Sequence, residues 1–392
     1  MSKDVKNVPA LRFKGFSDAW EKRKFKDIVT RVNQMSNDSK LPSVEFEDIV
    51  SGQGRLRKSA HLKFNTKKGI SFQPRDVLFG KLRPYLHNWL FPNFHGRAVG
   101  DFWVLRANSN VFPGYLFQLV QAPRFQSIAN ISSGTKMPRS DWKTVAESHF
   151  LLPDVSEQKR IWQLFKVLDD LIAATQGKLD QLQMVKKALL QHLFDQSMRF
   201  KGYSDPWEKR KLGDLSTIRR GASPRPISSP KWFSGTSSVG WLRISDVTEQ
   251  NGRVYSVAQH LSEKGQKKTL VLTKRHLILS IAATVGKPVQ NYTALGIHDG
   301  FIVFMNPKFD LDFMFYFLEK YQPQWMRFGQ PGSQVNLNSE LVRNLEIRLP
   351  RRDEQEQVSK ILLKLDNLIA ATQSKLSSLE SLKKALLQGL FI

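Results

Sequence analysis

The feature that most constrains this chain is a long apolar pattern that it writes twice. Leu168 to Phe194 reads LDDLIAATQGKLDQLQMVKKALLQHLF, and Leu365 to Phe391 reads LDNLIAATQSKLSSLESLKKALLQGLF. The two stretches lie 197 positions apart and agree at 19 of 27 places. The match extends upstream at the same offset, where LPDVSEQKR (Leu152 to Arg160) lies over LPRRDEQEQ (Leu349 to Gln357). A second repeat opens each half. LRFKGFSDAWEKRKFKDI (Leu11 to Ile28) matches MRFKGYSDPWEKRKLGDL (Met198 to Leu215) at 12 of 18 places, offset by 187. The chain is one cassette used twice. Its period far exceeds the roughly 20–50 residues of solenoid arrays, so it encodes two domains.

The repeated stretches predict helices with a seam. Apolar positions fall at Ile161, Leu164, Leu168, Leu171, Thr175, Leu179, Leu182, Leu189 and Leu193. The second copy gives Ile361, Leu365, Leu368, Thr372, Leu376, Leu379, Leu382, Leu386 and Leu390. Steps of three and four are coiled-coil spacing. Pro153 and Pro350 stop the preceding strands. Asp154 or Ser156, and Asp353, are candidate N-caps, with Glu157, Glu354 and Glu356 in the first turns. Each helix of ~40 residues spans about 60 Å and suits a spacer. Two tandem copies pair most simply antiparallel about a local two-fold axis, bringing Ile392 back beside the first domain. Doubled positions Leu171/Ile172, Leu189/Leu190, Leu368/Ile369 and Leu386/Leu387 widen the apolar stripe. Either partner helices cover that second face or the domains fold back over it.

The middles, 29–150 and 216–348, share only scattered pieces, so they were free to do different jobs. Val239–Val247, His276–Gly286 and Asp299–Pro307 read as strands, and Arg75–Leu86 and Gly100–Ala107 match the last two. Short helices follow them. The fold class expected is α+β: two pseudo-repeated α/β domains separated by two long antiparallel coiled-coil spacer helices. The divisions fall at 1–153, 154–197, 198–350 and 351–392.

Charge supplies the functional clue. Lys plus Arg is 60 against 35 Asp plus Glu, a net +25 spread through the chain with no polybasic tail. A folded chain this basic points to a polyanion, above all nucleic acid; a merely soluble basic protein, or one that docks on an acidic protein, is the other reading. Basic and aromatic residues interleave in loops. The first middle offers Lys67, Lys68, Lys81, Arg83, Tyr85, Thr135, Lys136 and Arg139. The second offers Arg219, Arg220, Arg225, Arg243, Lys267, Lys268, Gln334, Asn336 and Asn338. Lys and Arg suit phosphates, Gln and Asn suit adenine edges, and Arg suits guanine.

Catalytic patterns are missing. There is no phosphate-binding GxxxxGK[ST], no GxGxxG and no paired histidines with metal-ligand spacing. PDVSEQK (Pro153 to Lys159) mimics a nuclease acid-acid-lysine pattern, but the second copy has Glu356 where the first has Lys159, so it reads as capping. The absence of cysteine excludes disulfides and thiolate zinc and fits a reducing compartment. The first residues carry no apolar signal core, and the longest apolar run is too short for a membrane span, so a cytoplasmic protein is expected.

The cassette order resembles the specificity subunit of type I restriction–modification enzymes. GFSDAWEKRKFKDI and GYSDPWEKRKLGDL, DVLFGKLRPYL, GWLRISDV, GTKMPRSDW and GSQVNLN, and the two LP-rich helix starts carry the resemblance. It covers essentially the whole chain. It implies two target recognition domains, each reading half of a split DNA site, and helices that set the gap. Two methyltransferase subunits would dock on the helical region, bringing S-adenosylmethionine and adenine N6 methylation. Restriction subunits would bring ATP, magnesium and cleavage. The chain itself would be non-catalytic. A stand-alone nucleic-acid enzyme with hidden carboxylate chemistry, or a coiled-coil adaptor without DNA specificity, are the competing readings.

Overall fold

The computed structural model describes residues 7–57, 63–131, 136–282, 284–325, 327 and 337–391. The chain forms two compact units, Met1–Lys178 with Thr372–Ile392, and Leu179–Ala371. Two long helices, Val155–Phe194 and Arg352–Leu390, cross that division. Each unit therefore holds the start of one long helix and the end of the other.

The helices run antiparallel within both units. In unit one Asp169 pairs with Lys383 at 2.7 Å. In unit two Lys186 pairs with Asp366 at 2.8 Å. Seventeen residues forward on the first helix match seventeen back on the second. The two ion pairs are also images of each other, since Asp169 and Asp366, and Lys186 and Lys383, stand 197 apart as the repeat does. The buried seam keeps Ile161, Leu168, Thr175, Leu179 and Leu193 of the expected first-helix positions and Leu365, Thr372, Leu376 and Leu390 of the second. Ile161, Phe165, Leu168, Ile172 and Leu179 are buried on the first helix, and Val358, Leu362, Leu365 and Leu376 on the second. Leu171, Ile361 and Leu368 are exposed instead. Doubled apolar positions fit two registers one residue apart, and the bulkier Phe165 face is the one that is buried.

The helix starts follow from capping. Asp154 Oδ1 accepts the N–H groups of Ser156 (2.7 Å) and Glu157 (2.9 Å), satisfying donors that a helix start leaves orphaned. Glu157 is buried, takes both prongs of the Arg12 guanidinium at 2.9 Å and accepts from Trp20 Nε1 at 3.1 Å. Unit two repeats the fork with Arg199 and Glu354 at 2.9 and 2.7 Å. The acids of the nuclease-like pattern are thus spent on structure. The opening segments dock on helix ends: Leu11 N–H donates to Gly389 O at 2.8 Å, and Met198 N–H to His192 O at 3.1 Å. Phe391 packs on Tyr115 in unit one, ring centres 5.3 Å apart, as expected of antiparallel helices that return the end of the second repeat to the first domain. Ile392 itself lies outside the described residues.

Each unit mounts its long-helix segments against small sheets. Unit one has two four-stranded sheets, one ordered Val29–Val32, Phe102–Ala107, Val77–Gly80, Trp89–Leu90. Unit two has a five-stranded sheet ordered Thr217–Arg220, Phe301–Met305, Leu277–Ser280, Pro288–Asn291, Arg253–Val254, and a three-stranded one. In both, the opening cassette forms a strand (Glu21–Lys24, Glu208–Lys211) paired antiparallel with the strand that leads into a long helix. The stretch Val239–Val247 is not one strand. It pairs only at Gly240–Trp241 and then turns into a helix, Ile244–Glu249, because Asp246 accepts the Arg243 N–H at 2.9 Å and caps it. Among the described residues no helix is long and apolar enough to cross a membrane.

Candidate nucleic-acid interface

In unit one the structure gathers Lys81, Arg83, Tyr85, Lys136 and Arg139 from two loops that are sewn together. Arg83 N–H donates to Pro138 O at 2.7 Å, and Ser140 N–H to Lys81 O at 2.8 Å. Between the loops lies Asp101, 3.5 Å from Lys81 Nζ and 3.1 Å from Arg139. Arg83 and His87 both adopt left-handed backbone (φ 48° and 54°) around the turn Pro84–Leu86. Such conformations cost a non-glycine residue free energy and persist where the surroundings dictate them. The turn leaves Tyr85 52% exposed. Lys67 pairs with Glu45 at 2.7 Å, and Lys68 is exposed on the same segment. Thr135 lies outside the described residues.

In unit two the cations converge on Asp299. Arg220 Nε donates to its carbonyl at 2.7 Å, Arg225 to its carboxylate at 2.9 Å, and Ser223 Oγ to the other carboxylate oxygen at 2.6 Å. The approach is close. A Cβ on Gly221 would stand 2.2 Å from His298 O, so no larger residue fits. Ser223, Arg225, Ile227, Trp241, Arg243, Ile244, His298 and Asp299 line a cleft of about 290 Å³. The Ser223 hydroxyl and then Arg225 hold the Asp299 carboxyl below its ordinary range, so it is a permanent acceptor. Burial holds His298 below its ordinary value, against the pull of Asp299. Its Nδ1 accepts the Gly300 N–H at 2.9 Å, which leaves the proton on Nε2. Arg243 faces this cleft while bonded to Asp246 at 3.2 Å. Arg219, Lys267 and Lys268 are exposed elsewhere on the unit. Asn338 caps the helix Ser339–Asn344 through the Leu341 N–H at 2.8 Å. Gln334 and Asn336 lie outside the described residues.

Residues 204–381 match the family described as the type I restriction modification DNA specificity domain. The MjaX relative from Methanocaldococcus jannaschii, a putative type I specificity subunit, is 22% identical over 94% of this chain and 92% of its own. The MjaVIII specificity subunit of the same organism is 24% identical; the match spans 65% of this chain but 64% of that one. A type I S subunit structure from M. genitalium superposes with a TM-score of 0.63 at 14% identity, over 98% of this chain and 99% of that one. A chain from a structure of type I complex assembly gives 0.55 at 19% identity, covering 94% and 96%. The two structural likenesses establish the fold.

In residues 204–381 this chain resembles the type I restriction–modification specificity subunits.

Residue type alone singles out the cations of these two clusters but not the acids that hold them. Asp101 and Asp299 sit just ahead of the central strands Phe102–Ala107 and Phe301–Met305, and that position in GDFWVL and HDGFIV was the available signal. On the helices, Leu171 (45%) and Leu368 (52%) are exposed. Ile172 is buried and Ile369 half-buried. Leu189 and Leu190 pack on the core of unit two, and Leu386 and Leu387 on that of unit one.

Proposed function

We propose that this subunit directs a type I complex to a bipartite DNA target, with residues 1–153 and 198–350 as its two recognition domains. The observation that carries the reading is a shared frame with unlike loops. Both units repeat the Arg–Glu fork and the Asp–Lys helix pair. On that frame one mounts Lys81 and Arg139 about Asp101, the other Arg220 and Arg225 about Asp299. Exchanging residues 29–150 for the middle of another such subunit should change one half of the modified motif only; a change in both halves, or in neither, overturns the reading. Log affinity should fall with log salt at about −0.9 per phosphate neutralised.

The helices, 154–197 and 351–392, serve as spacer and dock. In the register set by Asp169 and Lys383, exposed Leu382 lies beside Leu171; in that set by Lys186 and Asp366, exposed Val185 lies beside Leu368. Two like apolar patches suit two methyltransferase subunits, which would supply S-adenosylmethionine and adenine methylation, with restriction subunits supplying ATP and magnesium chemistry. Charged substitutions at Leu171 and Leu368 should abolish co-purification with the methyltransferase while leaving the fold intact. Four residues inserted into Leu171–Gln176 lengthen the helix by roughly 6 Å. The unspecified gap should grow by one or two base pairs at ~1.7 Å per phosphate along the duplex.

A further inference from the structure

We propose that Asp299 reads the amino group of a cytosine in the second half-site, within a G·C pair whose guanine edge meets the cations of the same cleft. This rests on the reading of unit two as a DNA-recognition domain.

An ionised carboxylate among the cations of a cleft, in a chain of net charge +25, would repel phosphate, so its placement needs a reason. Anchoring the fold is the ordinary reason, and other acids of this chain show what it looks like. Asp48, Asp246, Glu157 and Glu354 are all buried, with their oxygens spent on caps and guanidinium forks. The Asp299 side chain is 40% exposed and opens on a cleft. Ser223 holds one carboxylate oxygen and Arg225 the other. Each oxygen keeps a second lone pair, and Arg220 fixes the backbone. The acceptor is pre-positioned, so little ordering is left to offset on binding.

The partner must be a hydrogen-bond donor on a base edge. In the major groove cytosine presents its N4 amino group alone, whereas adenine sets N7, an acceptor, beside its N6 amino group. A carboxylate with two acceptor oxygens suits the first and meets repulsion at the second. The paired guanine offers O6 and N7, both acceptors. Arg225, Arg243 and His298 line the cleft, and each carries donors.

The test uses the full chain with its methyltransferase subunits. Mapping modified adenines in cells first gives the motif; absence of any bipartite motif would sink the recognition reading itself, not this assignment. A second half-site lacking a G·C pair overturns the assignment. Next, duplexes carry 2-pyrimidinone, which lacks the amino group, at each second-half cytosine in turn. Wild-type affinity should fall tenfold or more at one position, and a loss below threefold at every position overturns the proposal. Finally, Asp299→Asn should relax that one base while leaving the first half-site and the gap unchanged. An unaltered motif in modifying Asp299→Asn refutes the assignment. If Asp299→Asn does not assemble, the wild-type pyrimidinone series decides alone.

Discussion

The two units treat the same position in opposite ways. Unit two closes the space between its sheet and its helix segments with a polar lock around Arg253. The guanidinium donates to Gln290 (2.7 Å), Tyr292 (3.0 Å), Asp312 (2.9 Å) and the Tyr316 hydroxyl (2.9 Å), and lies 4.6 Å over the Phe315 ring. The Tyr316 hydroxyl donates in turn to Asp366 at 2.7 Å, and Lys186 bridges Asp366 and Glu319. Burial alone would lower Arg253, but Tyr316 and Asp312 outweigh it and the guanidinium is held above its ordinary value. In unit one, 198 positions earlier, Arg55 bonds Gln53 at 2.8 Å. Gly114 stands for Asp312, Gln118 for Tyr316 and Gln121 for Glu319. Gln118 Oε1 is buried without a partner among the described residues. Trp162 packs onto Gly114, and a cavity of about 560 Å³ remains, lined among others by Arg55, Trp89, Gln126, Ala173 and Lys383. The helix half of the lock, Asp169 with Lys383, survives because it repeats Lys186 with Asp366. The domain half has diverged. A shared helix can thus be fastened by charge in one unit and by aromatic packing in the other.

Arg253→Ala gives the largest contrast. It leaves the Asp312 carboxylate with Arg275 alone and takes a shared donor from Gln290, Tyr292 and Tyr316, which should cost about 3 kcal/mol, while Arg55→Ala should cost about 1 kcal/mol or less. Urea unfolding followed by tryptophan fluorescence reads both; equal losses would erase the distinction between the units. Lys186→Met ranks second. It takes the ion pair from Glu319 and leaves Asp366 with Arg253 at 3.8 Å and the Tyr316 hydroxyl, whereas Lys383→Met leaves Asp169 and the neutral Gln121. The first should exceed the second by about 1–2 kcal/mol at pH 7. For Lys186, burial lowers the pKa but Glu319 and Asp366 raise it further, above 10.5 on balance. Its contribution is fully present below pH 10.5 and is lost as pH rises through the higher folded value. Asp312 runs the other way: burial would raise it, but Arg253 and Arg275 hold it below 3.8. Its contribution is present above pH 3.8 and fades as pH falls through the folded value, so Asp312→Asn should cost least in strong acid. The smallest effect is a gain. Ala173→Leu, projecting into the unit-one cavity, should stabilise by about 0.5–2 kcal/mol; Ala370→Leu, the equivalent residue of unit two, should not.

The duplicated architecture was legible because it rests on local patterns. Helix period, the Asp154 cap and the repeated opening strands are written within a few residues of where they act. The exact seam was not, since Leu171 and Ile172 satisfy the same period and only packing chooses between them. The strand over Val239–Val247 failed where a capping carboxylate, Asp246, overrode apolar alternation. The lock was invisible for another reason. Arg253, Asp312, Tyr316 and Asp366 meet only after the sheet, a helix and the second long helix are assembled. The one trace is the Gly-Arg dipeptide at 54–55 and again at 252–253, which marks the shared strand without naming its partners. Candidate cations were readable by type, but which acid organises each group depends on loops far apart in sequence.

The docking of Leu390 and Phe391 into the core of unit one has a consequence for synthesis. Residues 179–371, all of unit two, must be made between the two parts of unit one. At ~5–20 residues per second that interval lasts roughly 10–40 s. Unit one is therefore begun before unit two and completed after it. Until then Tyr115 and Phe165 lack the Phe391 ring they pack against. Unit two has no such wait, because all of its residues are contiguous. The core of unit one can thus close only once residues 372–391 have been added, after all of unit two has been made.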